Sequence, residues 1–198
     1  NPYDGALMGH FADVTARQYG FTREQQDAFA AESVRRALAA CEGGAFADEI
    51  TAVAVRTRRG EQRIERDEPP FQCDLARIPS LKPAFDPDGT VTAASSSSIA
   101  DGAAALVLMS QDAAQELGAP VLAHIVDYCS HAQAPEWFTT APAGAIRRVL
   151  QRVRWHAGEV DLYEINEAFA VVTMASMRDL ALEHARVNVN GGACALGH

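Results

Sequence analysis

Apolar positions recur every three or four residues from Ala30 through Val34 and Leu38 to Cys41, which predicts one helix face turned to a core. Thr22-Arg23-Glu24-Gln25 supplies a capping box at its start, and Gly43-Gly44 ends it after about 20 residues. An earlier helix is expected over Phe11 to Gln18, broken at Gly20. From Ile50 the period shortens to two. Thr51 to Val55 and Arg63 to Arg66 read as a small hairpin around Arg59-Gly60. Pro69, Pro70, Pro79, Pro83 and Pro87 then restrict the chain to loops and short helical pieces. After Asp101 the pattern becomes α/β alternation, with strands expected at Ala103 to Met109, Val121 to Val126, Val160 to Ile165 and Val187 to Val189. Helices are expected at Gln111 to Leu117, at Thr140 to about Val153 with Thr140 as cap, and at roughly Glu167 to Leu182. The chain divides near residue 99 into a loop-rich part, 1–98, and an α/β part, 99–198.

With 198 residues, 48% hydrophobic and 22% charged, the sequence has the means to bury a core, so disorder is not expected. The formal charge of −9 opposes a sequence-independent grip on nucleic acid or anionic lipid. Cys41, Cys73, Cys129 and Cys194 show neither CxxC pairing nor the spacing of a zinc site or disulfide framework, so no metal is expected and a reducing, cytoplasmic setting fits. No signal-peptide pattern and no run of about 18 apolar residues is seen, so no membrane association is expected. Both ends, Asn1 and Gly197-His198, read as cut.

Three segments carry candidate chemistry. In Asn166-Glu-Ala-Phe-Ala170 an amide lies between a strand's carboxyl end and a helix, where α/β sheets bind ligands; Asn166 as a plain helix cap is the competing reading. In Asn190-Gly-Gly-Ala-Cys-Ala-Leu-Gly-His198 glycines permit close approach around a terminal histidine, which is either an acid, a base or an electrostatic donor or a structural residue. Gly89-Thr-Val-Thr-Ala-Ala-Ser-Ser-Ser-Ser-Ile-Ala-Asp-Gly102 offers hydroxyls and amides to an extended ligand; its four serines also suit a linker, although their apolar flanks favour a specified turn.

Taken in order, Leu7-Met-Gly9, Gln18-Tyr-Gly-Phe-Thr-Arg-Glu-Gln-Gln-Asp27, Gly44-Ala-Phe-Ala-Asp-Glu-Ile50, Leu81-Lys-Pro-Ala-Phe85, Gly89-Thr-Val-Thr-Ala93, Asp101-Gly-Ala-Ala-Ala105, Asn166-Glu-Ala-Phe169 and Val187-Asn-Val-Asn-Gly-Gly192 with Gly197-His198 resemble the thiolase family across essentially the whole chain. The resemblance implies an α/β fold, the layered αβαβα thiolase core in part, with an inserted loop domain. Residues 1–98 are then the loop domain lining a coenzyme A channel, and residues 99–198 are mostly the C-terminal half of the core, incomplete. It implies that His198 activates a nucleophilic cysteine and joins an oxyanion hole, and that Asn166 holds a water in that hole. A thiolate takes the acyl group from a thioester, and a second cysteine moves a proton at the α-carbon of the other acyl-CoA. Met8, Phe85, Ala93 and Ser97 match pantetheine-lining positions, with Ser97 as hydrogen-bond donor, and Ala168 and Phe169 lie beside Asn166; Phe85 also reads as a plain core aromatic.

Departures from the pattern accompany it. Both family cysteines fall outside Asn1 to His198, and Cys194 takes a position usually filled by a small apolar residue, so it reads as structural. Asp67 to Asp74 lacks the basic residue relatives often place near the coenzyme A phosphates, Leu7 replaces a frequent His, and Ser95 to Ser98 replaces Asn-Ala-Ser-Gly while keeping Ser97. Pro135-Glu-Trp-Phe-Thr-Thr-Ala-Pro142 and Ala105 to Met109 look more like the acetoacetyl-CoA branch of the family; Trp137 and Phe138 either narrow an acyl pocket or serve a core or interface. The expectation is an acetyl-CoA C-acetyltransferase that acts as part of a longer homodimeric or homotetrameric protein, with coenzyme A as substrate and no cofactor. Its rivals are a 3-ketoacyl-CoA thiolase for longer chains and a non-catalytic acyl-CoA-binding relative.

Overall fold

The computed structural model describes residues 5–58 and 60–198, so Arg59 in the expected hairpin turn lies outside the described residues. Helix α1 spans Met8–Tyr19 and helix α2 spans Arg23–Glu42. The capping box forms as expected: the Thr22 hydroxyl accepts from the Gln25 N–H at 3.2 Å, and the Gln25 side chain accepts from the Thr22 N–H at 3.0 Å. Strands β1, Val53–Thr57, and β2, Gly60–Ile64, make an antiparallel hairpin in register Val53 to Ile64, and β1 is exposed along its length. Pro69–Gln72 (α3) and a 3-10 turn at Leu75–Ser80 are the short pieces the prolines allow. Helices α4, Gln111–Leu117, α5, Ala141–Val153, α6, Ala170–Leu180, and the single turn α7, Ala193–Leu196, follow.

The main core is built between α1, α2 and α6. Ala12, Ala16, Phe21, Phe29 and Val91 pack with Phe169, Ala170, Val171, Val172, Met174 and Ala175. Segments on both sides of residue 98 therefore enter one apolar cluster. The small residues of α1 and α6 let the two helices approach closely. Each buried Val or Phe removed from water contributes about 1.5–3 kcal/mol, and Val91 and Val171 are wholly buried.

Four sequence expectations change. The apolar runs Ala103 to Met109 and Val121 to Val126 form no ladder among the described residues, and Leu106 and Leu122 are 86% and 95% exposed. An uninterrupted apolar run is what a strand covered on both faces needs, and these runs find no described neighbour to pair with. At Val160 to Ile165 and Val187 to Val189 only one parallel bridge forms, Tyr163 to Val187. Helix α6 begins at Ala170, not Glu167, because Phe169 is extended (φ −143°, ψ 153°) and pairs with Ser96 across an antiparallel bridge. Thr140 does not cap α5 through its side chain; its hydroxyl donates to the Trp137 carbonyl at 3.0 Å.

Candidate functional site

The bridge at Phe169 organises the site. Ala170 N–H donates to the Ser95 carbonyl at 2.9 Å, and Ser97 N–H donates to the Ala168 carbonyl at 3.1 Å. The serine segment is thus stitched to the Asn166-Glu-Ala-Phe segment and is not a free linker. Its own turn is closed by hydroxyls: the Thr92 N–H donates to Ser95 Oγ at 2.9 Å, and the Ser96 hydroxyl donates to the Thr92 carbonyl at 2.7 Å. From the other side Asp13 of α1 accepts from the backbone N–H groups of Thr90 and Val91 at 2.7 and 3.0 Å, which anchors the segment's start.

Ser97 then meets His198. Its Oγ hydrogen-bonds the imidazole Nδ1, and the His198 N–H donates to the Ser98 carbonyl at 3.3 Å. His198 is exposed and Ser97 is half-buried, so their pair lies at the surface of the described residues. A Cβ at Gly197 would fall 2.7 Å from that of Ala100 and 2.8 Å from the Ser98 carbonyl oxygen, so glycine is what lets the histidine lie against the serine turn. Ala93 is exposed nearby in sequence on the same turn.

The aromatic wall is continuous with this turn. Phe85 packs edge-on against Phe169, with centroids 5.7 Å apart and planes at 84°, and Phe138 meets Phe169 at 6.4 Å. Phe85 is half-buried and packs against the main core cluster. Gly9 abuts the Phe85 ring so closely that a Cβ there would lie 2.2 Å from it, which brings the start of α1 to the same wall; the neighbouring Met8 is 43% exposed. Trp137 instead faces a separate surface hollow with Gln18, Tyr19, Thr140 and Arg178.

Asn166 is exposed and lies four residues before α6, so it does not cap that helix. Burial alternates along the chain here: Tyr163, Ile165 and Glu167 are buried, while Glu164 and Asn166 are exposed. Although its surface is exposed, partial desolvation by the surrounding chain, and second the Glu167 carboxylate, raise the Glu164 carboxyl above its ordinary value. The Cys194 thiol is pushed well above the ordinary thiol range by burial first and by the Glu167 carboxylate second, and it is directed at the Glu167 carbonyl at 3.9 Å, not at His198. A thiol so placed is a poor thiolate. No group of three or more His, Cys, Asp or Glu among the described residues is arranged to hold a metal ion.

Several contributors carried no signal of their own in the sequence. Ser33, Asn188, Arg36 and the buried side of Glu167 all act across the chain. Arg36 donates to the carbonyls of His184, Val187 and Asn188 at 3.0, 2.7 and 3.3 Å, fixing the turn that leads into the glycine loop. The nearest hint was a left-handed position: Asn188, with φ 48°, takes a conformation that Asn tolerates better than most residues.

The serine turn meets the histidine behind the glycines and is stitched to the segment that carries Asn166 and Phe169, and comparison with known proteins makes the class definite. Residues 1–112 match the thiolase N-terminal domain and residues 119–198 match the thiolase C-terminal domain. The chain belongs to the thiolase family. It is 48% identical over 197 residues to a probable acetyl-CoA acetyltransferase of Dictyostelium discoideum, covering 99% of this chain and 48% of that protein. The crystal structure of the Bacillus anthracis acetyl-CoA acetyltransferase superposes with a TM-score of 0.96 at 42% identity, covering 100% of this chain and 50% of that one. A thiolase from Ascaris suum in complex with coenzyme A superposes with a TM-score of 0.91 at 41% identity, covering 98% of this chain and 50% of that one. The chain spans about half the length of the relatives it matches.

Proposed function

We propose that this chain supplies the oxyanion-side groups and the pantetheine wall of an acetyl-CoA C-acetyltransferase, which interconverts two acetyl-CoA with acetoacetyl-CoA and free coenzyme A. The contact of Ser97 with His198, held by the backbone bond from Ser97 to Ala168, carries the reading, because it joins the serine turn, the Asn166 segment and the glycine loop at one place. The similarity to acetyl-CoA acetyltransferases, and to a thiolase in complex with coenzyme A, points the same way.

In this reading the pantetheine arm lies along Met8, Phe85, Ala93, Ala168 and Phe169, with Ser97 as its hydrogen-bond partner. A cysteine thiolate, contributed from outside this chain, attacks the thioester carbonyl. Negative charge develops on the carbonyl oxygen, where the His198 imidazole N–H and a water held by Asn166 donate hydrogen bonds that strengthen as the charge grows. The thioester C–S bond breaks, coenzyme A leaves by taking the proton that His198 accepted from the cysteine, and the acetyl group rests on the cysteine until the enolate of a second acetyl-CoA attacks it and the cysteine is released as its thiolate. A further cysteine, also outside this chain, takes the α-proton that makes that enolate. The working protein is a cytoplasmic homo-oligomer, a statement for light scattering and cell fractionation to check.

The test is turnover of the full-length protein on acetoacetyl-CoA plus coenzyme A. His198→Ala is expected to lower kcat by about 10²–10³-fold, the scale on which lost oxyanion donors act. Unchanged turnover in His198→Ala, or a marked preference of the wild type for long 3-ketoacyl chains, would overturn the proposal.

A further inference from the structure

Asn166 and His198 are carried by two different loops, and one buried carboxylate ties those loops together. Glu167 is 1% exposed. Its Oε2 accepts from the Ser33 hydroxyl of α2 at 2.7 Å and from the Cys194 N–H of α7 at 3.0 Å, while its Oε1 accepts from Asn188 Nδ2 at 2.8 Å. Each partner is itself committed. Ser33 Oγ accepts from the Gly192 N–H at 3.0 Å, so its own proton is directed to the carboxylate. Asn188 holds both backbone groups of Ile165, accepting from its N–H and donating to its carbonyl, each at 2.8 Å. A Cβ at Gly192 would fall 2.4 Å from the Glu167 carboxyl carbon, so the glycine loop is cut away to admit this side chain.

We propose that Glu167 is a positioning residue that sets Asn166 and His198 against each other at the thioester carbonyl, a proposal that rests on the acyl-transfer reading above. On one side, Ile165 and Glu167 are both clamped inward, so the alternation of extended chain turns Asn166 outward between them. On the other, Cys194 is held at the start of α7, and that one turn, closed by the Gly197 N–H on the Ala193 carbonyl at 2.8 Å, leads directly to His198. Neither Asn166 nor His198 touches the carboxylate, yet the loop bearing each is fastened to it.

The partners also explain why the acid is needed rather than an amide of the same shape. Ser33, Cys194 and Asn188 all present hydrogens, so a glutamine would turn an NH2 toward at least one donor whose other bonds leave it no freedom to reverse.

The experiment uses the full-length protein with Glu167→Gln and, separately, Ser33→Ala, which removes one partner and lies on α2 away from the substrate wall. Turnover on acetoacetyl-CoA and coenzyme A is paired with hydrogen exchange of the segment 188–198. In Glu167→Gln kcat is expected to fall at least about tenfold, as displaced catalytic groups do, with KM for acetoacetyl-CoA within about twofold because the pantetheine wall keeps its own contacts. Ser33→Ala moves the same way by a smaller factor, and exchange in 188–198 quickens in both while that of α1 does not. Unchanged kcat and unchanged exchange in a folded Glu167→Gln overturn the proposal. Should Glu167→Gln fail to fold, Ser33→Ala decides alone by the same criteria. An inactive wild type defeats the acyl-transfer reading, whereas the exchange data still decide whether the carboxylate fastens the two loops.

Discussion

Replacing Gly9 by alanine sets two effects against each other, and the structure says which wins. Alanine is favoured over glycine in a helix by about 1 kcal/mol, so on propensity alone Gly9→Ala in α1 stabilises. The added methyl, however, would sit 2.2 Å from the Cγ and Cδ2 atoms of Phe85, far inside van der Waals contact. Either α1 shifts or the ring swings away from Phe169. Overpacking costs about 1–3 kcal/mol, and loss of the edge-to-face contact at 5.7 Å costs a further ~0.5–1.5 kcal/mol. After the propensity gain, a net destabilisation of about 0.5–3.5 kcal/mol remains. If Phe85 also lines the pantetheine arm, KM for acetoacetyl-CoA rises, with kcat less affected, since a wall residue binds substrate and transition state alike. Thermal melts and steady-state kinetics of the full-length Gly9→Ala protein read both quantities. A variant that melts higher than wild type with unchanged KM would refute the reasoning.

Further outcomes follow from the same contacts. Cys194→Ala should keep turnover within about twofold, and Cys194 should resist iodoacetamide at pH 8 in the native protein, since its thiol is held neutral by burial and the Glu167 carboxylate; rapid alkylation detected by peptide mass would contradict this. Burial first, and the Arg36 guanidinium second, hold the His184 imidazole below its ordinary value where it stacks on Phe29 at 4.9 Å. The unfolded chain takes up that proton near pH 6.5 and the folded chain only at lower pH, so the stability present above about pH 6.5 is lost as pH falls through the folded value. A His184→Gln variant should therefore show a shallower decline in Tm between pH 7 and 5 than wild type, and equal slopes would refute the assignment.

Local signals in the sequence were sufficient for α2, because the capping box and the apolar spacing act within a few residues of each other. They were also sufficient for α4 and most of α5. The start of α6 was not legible, since it is displaced by the Phe169 to Ser96 bridge, a contact across more than seventy positions that no spacing rule contains. That same bridge is why Asn166 stands clear of a helix it was positioned to cap. The apolar runs at Ala103 to Met109 and Val121 to Val126 have the composition of covered strands, but a ladder needs a partner as well as a propensity, and the described residues offer none. The aromatic and serine segments of the site were recognisable as motifs. The Glu167 clamp was not, because its partners Ser33 and Asn188 are ordinary residues until the fold brings them to one carboxylate.

The claim that this chain forms the pantetheine wall and the oxyanion side of a thioester site is tested most directly by a crystal structure of the full-length protein with coenzyme A. The account predicts the pantetheine arm between Met8 and the Phe85–Phe169 pair, a hydrogen bond from Ser97 at about 2.6–3.2 Å, and the thiol end beside His198 and Asn166. Coenzyme A bound on another face, with Phe85, Ser97 and His198 left uncovered, would contradict it.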